Sequence, residues 1–292
     1  MAKSDMALTL NKTDLPVLKP FRMKGPAYDA FYHTRWLAGI RLRWVVVVLL
    51  LWPGVALAQS GLPMADAFNA LYRWAPFLVT QGFLFNILIS VFSMLIGTVL
   101  GVALGLAQIS RVIVVKKLAW FITQLFRNSP WLVLLFIVLL ALPYEINILG
   151  QTFRIPAWMK AVFGLSLPIM ANLSEIVRGA VLSVPSSQWE ASESLGFTRR
   201  QTLYEIILPQ CFKRMIPSWM NWYAILTMAT PLCSLLGVEE IITLSRQAMS
   251  AEDNQPELLV PFYGFALVLF FVYCYPIARL TIWMERSVAV KF

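Results

Sequence analysis

Long apolar runs separated by short polar stretches are the feature that most constrains what this chain can fold into. Six candidate spans occur, at residues 42–58, 83–107, 130 to past 142, 159–181, 212–236 and 258–283. Most approach the roughly 20 residues that an α-helix needs to cross a bilayer, and the first is shorter. Only 13% of the residues are charged, too few to cover a soluble protein of 292 residues. We therefore predict an all-α integral membrane protein, since each isolated span must satisfy its own backbone hydrogen bonds.

The distribution of lysine and arginine predicts the orientation of these spans. With a cytoplasmic N-terminus and six alternating spans, one side holds 20 of the 24 Lys and Arg residues. The other side holds only Arg73, Arg154, Lys160 and Arg246. The positive-inside rule then places the N-terminus, the C-terminus and the loop at 182–211 in the cytoplasm. The net charge of +9 is thus explained by topology, and it does not require a nucleic-acid partner.

The first 58 residues divide into a tail and an apolar segment. Residues 1–41 are polar, basic and interrupted by prolines, and we interpret them as a cytoplasmic N-terminal tail. Residues 42–58 form the extra N-terminal span. They also resemble a signal peptide that ends at Ala56-Leu57-Ala58, although a basic region of over 40 residues is unusually long for one. A retained span is favoured, and cleavage stays the alternative.

The sequence lacks the residues needed for several kinds of catalytic, metal-binding and nucleotide-binding site. His33 is the only histidine, and none of the three cysteines forms a CxxC pair, so the sequence supports neither a zinc site nor a histidine-based triad. No G-x-x-x-x-G-K-[ST] loop occurs, so this chain has no such cradle for ATP phosphates. We predict that the chain is not an enzyme and binds no metal or cofactor of its own.

The most informative stretch is 186–209, SSQWEASESLGFTRRQTLYEIILP, in the loop between the fourth and fifth spans. Ser186 or Ser187 can cap a first short helix, and Gly196 can end it in the left-handed conformation. Thr198 and Gln201 have the spacing of a capping box for a second helix, which Pro209 would stop. The sequence predicts a helix–turn–helix outside the bilayer, and an ordinary connecting loop is the alternative.

The same stretch resembles the EAA motif of ABC importer permeases. It keeps every spacing of that motif and departs only in having a serine as its third residue. In that family the loop forms a coupling helix that sits in a groove of the ATPase subunit. The resemblance therefore implies that seven residues couple the chain to an ATPase: Glu190, Ala191, Ser192, Gly196, Ile206, Leu208 and Pro209.

Three flanking segments narrow the resemblance. Phe126–Pro130, Ser174–Gly179 and Leu208–Gln210 are similar to segments of polar amino-acid permeases of the histidine, glutamate and glutamine type. The resemblance covers about 78–285, the expected permease domain, and implies a five-helix importer core in a bacterial inner membrane. It also implies ATPase subunits that bind ATP and magnesium, a periplasmic amino-acid-binding protein, and a second permease subunit.

One departure from the family affects the substrate contacts. Met228–Leu232 lacks the charged and amide side chains that the family often has in the fifth span. We therefore hypothesise a heterodimer whose other permease subunit supplies the substrate contacts. Alternatives are an importer for another small solute, or a secondary transporter driven by an ion gradient, although we detect no internal repeat. The polar residues placed nearest the translocation path are Asn86, Asn172, Glu175, Thr230 and Ser234.

Three further features carry expectations about packing. Gly97, Gly101 and Gly105 repeat every fourth residue and predict a face for close helix packing. Glu175 and Arg178 lie three residues apart on a helix, so an ion pair between them is allowed. Before the third span, residues 112–126 mix lysines with apolar side chains and could lie along the membrane interface, while Asn128-Ser129-Pro130 would start the span.

Overall fold

The computed structural model describes residues 64–148 and 151–288, and within them the chain is almost entirely helical. The N-terminal tail at 1–41 and the extra span at 42–58 lie outside the described residues. The α-helices are α1 (Met64–Phe77), α2 (Leu84–Gln108), α3 (Ile113–Arg127), α4 (Trp131–Ala141), α5 (Ala157–Leu182), α6 (Ser186–Ser194), α7 (Arg199–Gln201), α8 (Leu208–Ala229), α9 (Ile241–Ala251) and α10 (Leu259–Val288).

Two π-helical and two 3-10 segments join some of these helices without a break. The π segment Leu78–Phe83 connects α1 to α2, so that Ala65–Gln108 is one helix of 44 residues. The π segment Thr202–Ile207 and the 3-10 segment Thr230–Leu236 extend α8 into one helix, Arg199–Leu236. The 3-10 segment Pro256–Leu258 precedes α10. The helix begins about five turns before residue 83, where the second span is predicted to start, and its 44 residues are more than a bilayer needs.

The described residues contain three helices that are long and apolar enough to cross a membrane, or up to five if each bent pair forms one span. The three are Ala65–Gln108, α5 and Pro256–Ser287. The bent pairs are α3 with α4, at 106°, and Arg199–Leu236 with α9, at 52°. A count of five agrees with the predicted five-helix core. The third span is the exception, because α4 has only 11 residues and pairs with α3.

At the bend between α3 and α4, the predicted role of Asn128 and Ser129 at the start of the third span was wrong. The residue that caps α4 is Pro130, and no side chain bonds to the first N–H groups of that helix. Asn128 Nδ2 donates to Gln124 O at 2.7 Å, and Ser129 Oγ donates to Leu125 O at 2.6 Å. Both side chains thus satisfy the last carbonyls of α3, which any helix leaves without a partner.

A two-stranded antiparallel hairpin, β1 (Glu145–Ile148) and β2 (Gln151–Arg154), connects α4 to α5 and was not predicted. Beside it, Lys160 is almost completely buried at the start of α5. Its Nζ donates to Leu139 O at 3.2 Å and to Leu142 O at 2.8 Å, and lies 3.3 Å from the centroid of the Tyr144 ring. The ammonium group therefore caps the C-terminal end of α4, where a positive charge interacts favourably with the partial negative charge of the helix dipole.

The centre of the fold is the seam between α2 and α5. A Cβ added at Gly101 would lie 2.8 Å from Leu173 Cβ and 2.9 Å from Met170 O. Gly97 and Gly105 lie equally close to the α5 backbone or to side-chain stems on it. The small-residue face is therefore confirmed as a packing surface, because only hydrogen fits between the two helices at these positions. The adjoining core includes Ile89, Leu135, Leu165, Ile169 and Leu226.

Candidate functional site: the coupling segment and two polar sites

The coupling segment, residues 186–209, lies where α5 ends, and we call this the coupling end of the molecule. Its first helix, α6, starts at Ser186 with Pro185 as the capping residue and without a side-chain hydrogen bond. The predicted serine cap was therefore wrong, because Pro185 already supplies the extended backbone that a capping residue needs. Glu190 consequently lies beyond the first turn of α6.

Gly196 ends the first helix in the predicted way, with φ of 79°. Phe197 N donates to Ser192 O at 3.1 Å and Gly196 N donates to Glu193 O at 3.0 Å. This pair of bonds is a Schellman motif, which requires the left-handed conformation after the helix. No atom lies within 4 Å of a Cβ added at Gly196, so the requirement for glycine is conformational and does not come from crowding.

The second helix begins with the predicted capping box. Thr198 Oγ1 accepts from Gln201 N, and Thr198 N donates to Gln201 Oε1 at 2.9 Å. We predicted that Pro209 would stop this helix, and that prediction was wrong. Pro209 lies inside the continuous helix Arg199–Leu236, directly after the π segment Thr202–Ile207, where the helical hydrogen-bond pattern is already altered. The second helix therefore continues into the membrane-spanning part of the chain.

One face of the coupling segment is anchored to the ends of α5 and α8. Val184, Ile207 and Cys211 are buried in a common cluster, with Leu203 and Trp189 packed against it. Predicted coupling residues on this side are Ile206 and Leu208, which are half-buried, and Ser192, which is buried. The hydroxyl of Ser192 donates to Gln188 O at 2.7 Å, so the departure from the EAA pattern adds no unpaired polar group.

The opposite face is exposed in the part of the chain that the structure describes. The predicted coupling residues Glu190, Ala191, Gly196 and Pro209 are exposed there. Leu195 is 77% exposed and Tyr204 is 52% exposed, and sequence reasoning missed both. Single exposed apolar side chains are common on protein surfaces, and Leu195 and Tyr204 would add apolar area to a contact with another protein. Their signal in the sequence is their position beside a turn: Leu195 directly precedes Gly196, and Tyr204 lies in the helix that Thr198 begins.

A second site is a polar cluster at the far end, by which we mean the end of α5 opposite the coupling segment. Glu240 is completely buried and caps α9, accepting from Ile242 N and Thr243 N at 3.0 Å each. Asn86 Nδ2 donates to Glu240 Oε2 at 3.0 Å and to Thr230 Oγ1 at 2.9 Å. Sequence reasoning missed Glu240 but selected Asn86 and Thr230, which the structure brings together.

A cavity of about 490 Å³, the far-end cavity, lies beside this cluster, since its lining residues Phe85 and Glu239 directly precede Asn86 and Glu240 in the chain. Its polar lining groups include the exposed Gln81 and Glu239, and its aromatic walls are Phe77, Phe85 and Trp158. The adjoining turn contains Gly237 with φ of 74°, and its Val238 N donates to Cys233 O. A turn fixed in this way holds Glu239 at the rim while Glu240 points into the fold.

The other predicted path residues lie apart from this cavity. Asn172 is buried within α5 and donates to Pro168 O at 2.8 Å. Glu175 lies towards the coupling end, where its carboxylate is 2.7 Å from Arg178 Nη2 and 3.9 Å from Arg127 Nη1. The predicted Glu175–Arg178 ion pair is therefore confirmed, with Arg127 as an additional partner. Ser234 is half-buried in the 3-10 segment.

Comparisons with known proteins agree with this arrangement. Residues 97–280 match the family model "binding-protein-dependent transport system inner membrane component". The chain is 30% identical to the L-cystine transport system permease protein TcyB of Bacillus subtilis, over 72% of this chain and 86% of that protein. It is 32% identical to the arginine transport system permease protein ArtQ of Bacillus subtilis, over 70% of this chain and 93% of that protein.

A solved structure supports the fold independently. The crystal structure of an amino acid ABC transporter with histidines contains a chain that superposes with a TM-score of 0.63 at 22% identity, covering 75% of this chain and 98% of that one. The family match spans well over half of the sequence, including the glycine seam and the coupling segment. The chain therefore belongs to the family of binding-protein-dependent transport system inner membrane components.

Proposed function

We propose that this chain is the membrane-spanning permease subunit of an ABC importer that carries a polar amino acid. The observation that carries the proposal is the coupling segment. It is anchored on one face and exposed on the other, and it is part of a chain whose relatives are named as amino-acid permeases. A connecting loop without a function would not need a Schellman turn, a capping box and exposed Leu195 together.

The energy for transport comes from partner subunits in this proposal. Two ATPase subunits bind ATP and magnesium, and their closure moves the coupling segments. Glu190, Ala191 and Gly196 form the exposed contact, while Ser192, Ile206 and Leu208 hold the segment against the membrane helices. The permease and the ATPase then bias one shared equilibrium between two states of access, which is what coupling requires.

The far-end cavity is the site at which we propose that the solute first meets this chain. A periplasmic binding protein delivers the amino acid to that side. Glu239 and Gln81 offer polar contacts to its ammonium and carboxylate groups, and the aromatic walls exclude water. Ser234 and Glu175 line the path further along. Asn86, Thr230 and Asn172 are buried, and they shape the path by holding its helices.

The orientation follows from the distribution of charges in the sequence. The coupling end and the C-terminus face the cytoplasm of a bacterium, and the chain is a multi-pass protein of its inner membrane. A topology reporter fused near the C-terminus should be active only as a cytoplasmic fusion. Mass spectrometry of the mature chain should find residues 1–58 still attached, and a start at Gln59 would contradict the retained span.

The partner permease is proposed to be a different chain. Met228 is 55% exposed on α8, where the family often presents a charged group, so this surface offers an amino acid no polar contact. Copurification with a tagged chain, followed by identification of the bound proteins, tests this. If the chain transports an amino acid with two copies of itself and the ATPase alone, the heterodimer is wrong but the proposed function stands.

Variants of the coupling segment test the function directly. We expect Gly196→Val and Glu190→Lys to assemble in normal amounts but to lose most of the substrate-stimulated ATPase activity and uptake in reconstituted vesicles. Valine at positive φ costs about 1–3 kcal/mol and redirects α6 relative to α7. The lysine reverses the charge on the exposed face of α6.

Gly179→Val is the matched control, because Gly179 lies in regular helix near the same end with no atom within 4 Å of an added Cβ. It should keep wild-type coupling. Wild-type uptake in both test variants would mean that the segment is only a connection. The uptake of labelled arginine, cystine and glutamine in the same vesicles distinguishes an amino-acid importer from an importer of another solute.

A further inference from the structure

A basic pocket lies at the coupling end, outside the coupling segment. The end of α2, the first half of α3 and the end of α5 enclose about 340 Å³. The lining residues are Gln108, Ile113, Lys116, Lys117, Trp120 and Arg178. Neither the coupling segment nor the path residues use this pocket, apart from the contact of Arg178 with Glu175.

The wall of the pocket contains a buried hydrogen-bond acceptor without a partner. Gln108 is 2% exposed, and its Nε2 donates to Thr123 Oγ1 at 3.0 Å and to Ser174 Oγ at 3.1 Å. Ser174 donates in turn to Ala171 O, so its hydroxyl accepts from the amide. These bonds fix the orientation of the amide, and Gln108 Oε1 has no partner among the described residues. Leaving a buried acceptor unpaired is unfavourable, and a ligand hydroxyl would remove this cost once the side chain turns its oxygen toward the pocket.

The charge of the pocket favours an anion. The side chains of Lys116 and Lys117 are exposed and form no ion pair within the described ranges 64–148 and 151–288. Arg178 shares the single carboxylate of Glu175 with Arg127. Three cations, Lys116, Lys117 and Arg178, therefore line the pocket without a carboxylate among its lining residues, and the two lysines retain their full capacity to bind a negatively charged group.

The surface next to the lysines is apolar. Ile113, Val114, Leu118, Trp120 and Phe121 are each more than half exposed on α3. A helix that presents lysines together with large apolar side chains and a tryptophan suits the boundary between headgroups and acyl chains. A soluble phosphate compound would have no use for this apolar surface, whereas a lipid would cover it with its acyl chains.

We propose that this basic pocket binds the phosphate ester of an anionic phospholipid. Lys116 and Lys117 bind the phosphate oxygens, and Gln108 Oε1 accepts a hydrogen bond from a headgroup hydroxyl. The acyl chains lie along the apolar side of α3. Phosphatidylglycerol has each of these groups: one negative charge, free hydroxyls and two acyl chains. The site thus ties the inner leaflet to the end of α5 that leads into the coupling segment.

Native mass spectrometry of the intact complex that copurifies with the full-length tagged chain tests the proposal. Phosphatidylglycerol, phosphatidylethanolamine and glycerol-1-phosphate are titrated separately. We expect phosphatidylglycerol to bind most tightly, and Lys116→Gln with Lys117→Gln to weaken it by about fivefold for each lysine. Lys213→Gln is the matched control, since Lys213 is an exposed lysine near the same end that does not line the pocket. It should leave the affinity unchanged.

A ligand variant tests Gln108 without altering the protein. Phosphatidylmethanol has the charge and acyl chains of phosphatidylglycerol but no headgroup hydroxyl, and we expect it to bind several-fold more weakly. Equal phosphatidylglycerol affinity in the double lysine variant and the Lys213→Gln control would overturn the proposal. Glycerol-1-phosphate bound as tightly as phosphatidylglycerol would assign the pocket to a soluble phosphate and overturn the lipid as its ligand.

Discussion

Both ends of this molecule contain a left-handed glycine followed by a helix cap, but the cap is exposed at one end and buried at the other. At the coupling end, Gly196 adopts φ of 79° and Thr198, two residues later, caps the next helix. At the far end, Gly237 adopts φ of 74° and Glu240, three residues later, caps α9. Thr198 is exposed and bonds only within its own turn, whereas Glu240 is buried and bonded to a residue on another helix.

Under the proposed function, this difference separates the surface that binds the ATPase from the surface that supports the fold. The far-end turn is joined to α2 through Asn86, so a change there disturbs the packing of several helices. The coupling-end turn is anchored by apolar contacts with the ends of α5 and α8. Its capping residues can therefore change without exposing the core. We therefore expect variants of the far end to reduce the amount of folded protein, and variants of the coupling end to reduce transport per folded molecule.

The largest expected effect is that of Glu240→Ala. Asn86 Nδ2 and the N–H groups of Ile242 and Thr243 would each lose an acceptor, at a cost of about 3 kcal/mol or more in total. The melting temperature and the yield of monodisperse complex, measured by size-exclusion chromatography in detergent, should both fall sharply.

Glu240→Gln is the control, because its carbonyl oxygen still accepts from both N–H groups. The free energy of unfolding should then fall by about 1 kcal/mol, because the NH₂ groups of the introduced glutamine and of Asn86, both hydrogen-bond donors, would face each other. If Glu240→Ala were as stable as the wild type while transport failed, Glu240 would belong to the translocation path and the comparison of the two ends would be wrong.

An intermediate effect is expected for valine at the two left-handed glycines. Each substitution costs about 1–3 kcal/mol locally, since a β-branched residue disfavours positive φ, and neither position is crowded. Gly237→Val should lower the melting temperature of the complex because its turn adjoins the buried cap. Gly196→Val should leave the melting temperature within a degree or two and reduce stimulated ATPase activity. The same loss of thermal stability in both variants would remove the distinction.

The smallest expected effect is that of Thr198→Ala. The exposed cap contributes about 1 kcal/mol to the start of the second loop helix. Hydrogen exchange of the amides at Arg199–Gln201 should become several-fold faster, with no change at α9. Thr198→Ser keeps the capping oxygen and should restore the wild-type exchange rate. Unchanged exchange in Thr198→Ala would mean that the apolar anchor alone holds this turn.

Local patterns allowed much of the coupling segment to be predicted from the sequence. Gly196, the Thr198–Gln201 capping box and the Glu175–Arg178 pair depend on residues at most five positions apart, so their geometry is encoded in the spacing. The glycine seam was predictable for a related reason, since small residues every fourth position mark one face of a helix. The assignment of coupling residues to an ATPase contact stays a prediction.

Long-range partners explain what the sequence could not reveal. Glu240 is separated by 154 positions from Asn86, and Lys160 by 18 from the carbonyl of Leu142 that it caps. A charged residue beside an apolar run gives no sign of whether it turns outward to solvent or inward to cap another helix. The third span differs from its prediction for another reason, because its helix ends at Ala141 after 11 residues, too few to cross a bilayer without the helix α3 that it pairs with.

The continuous helix Arg199–Leu236 connects the coupling end of the molecule directly to the far end. Its 38 residues span about 57 Å at 1.5 Å per residue, from the capping box to the turn beside Glu240. A tilt of about 5° around one end would displace the other end by about 5 Å, as much as one helical turn. If the coupling segment binds an ATPase as proposed, a small movement of that end would displace the far end by several ångströms while the helix stays intact.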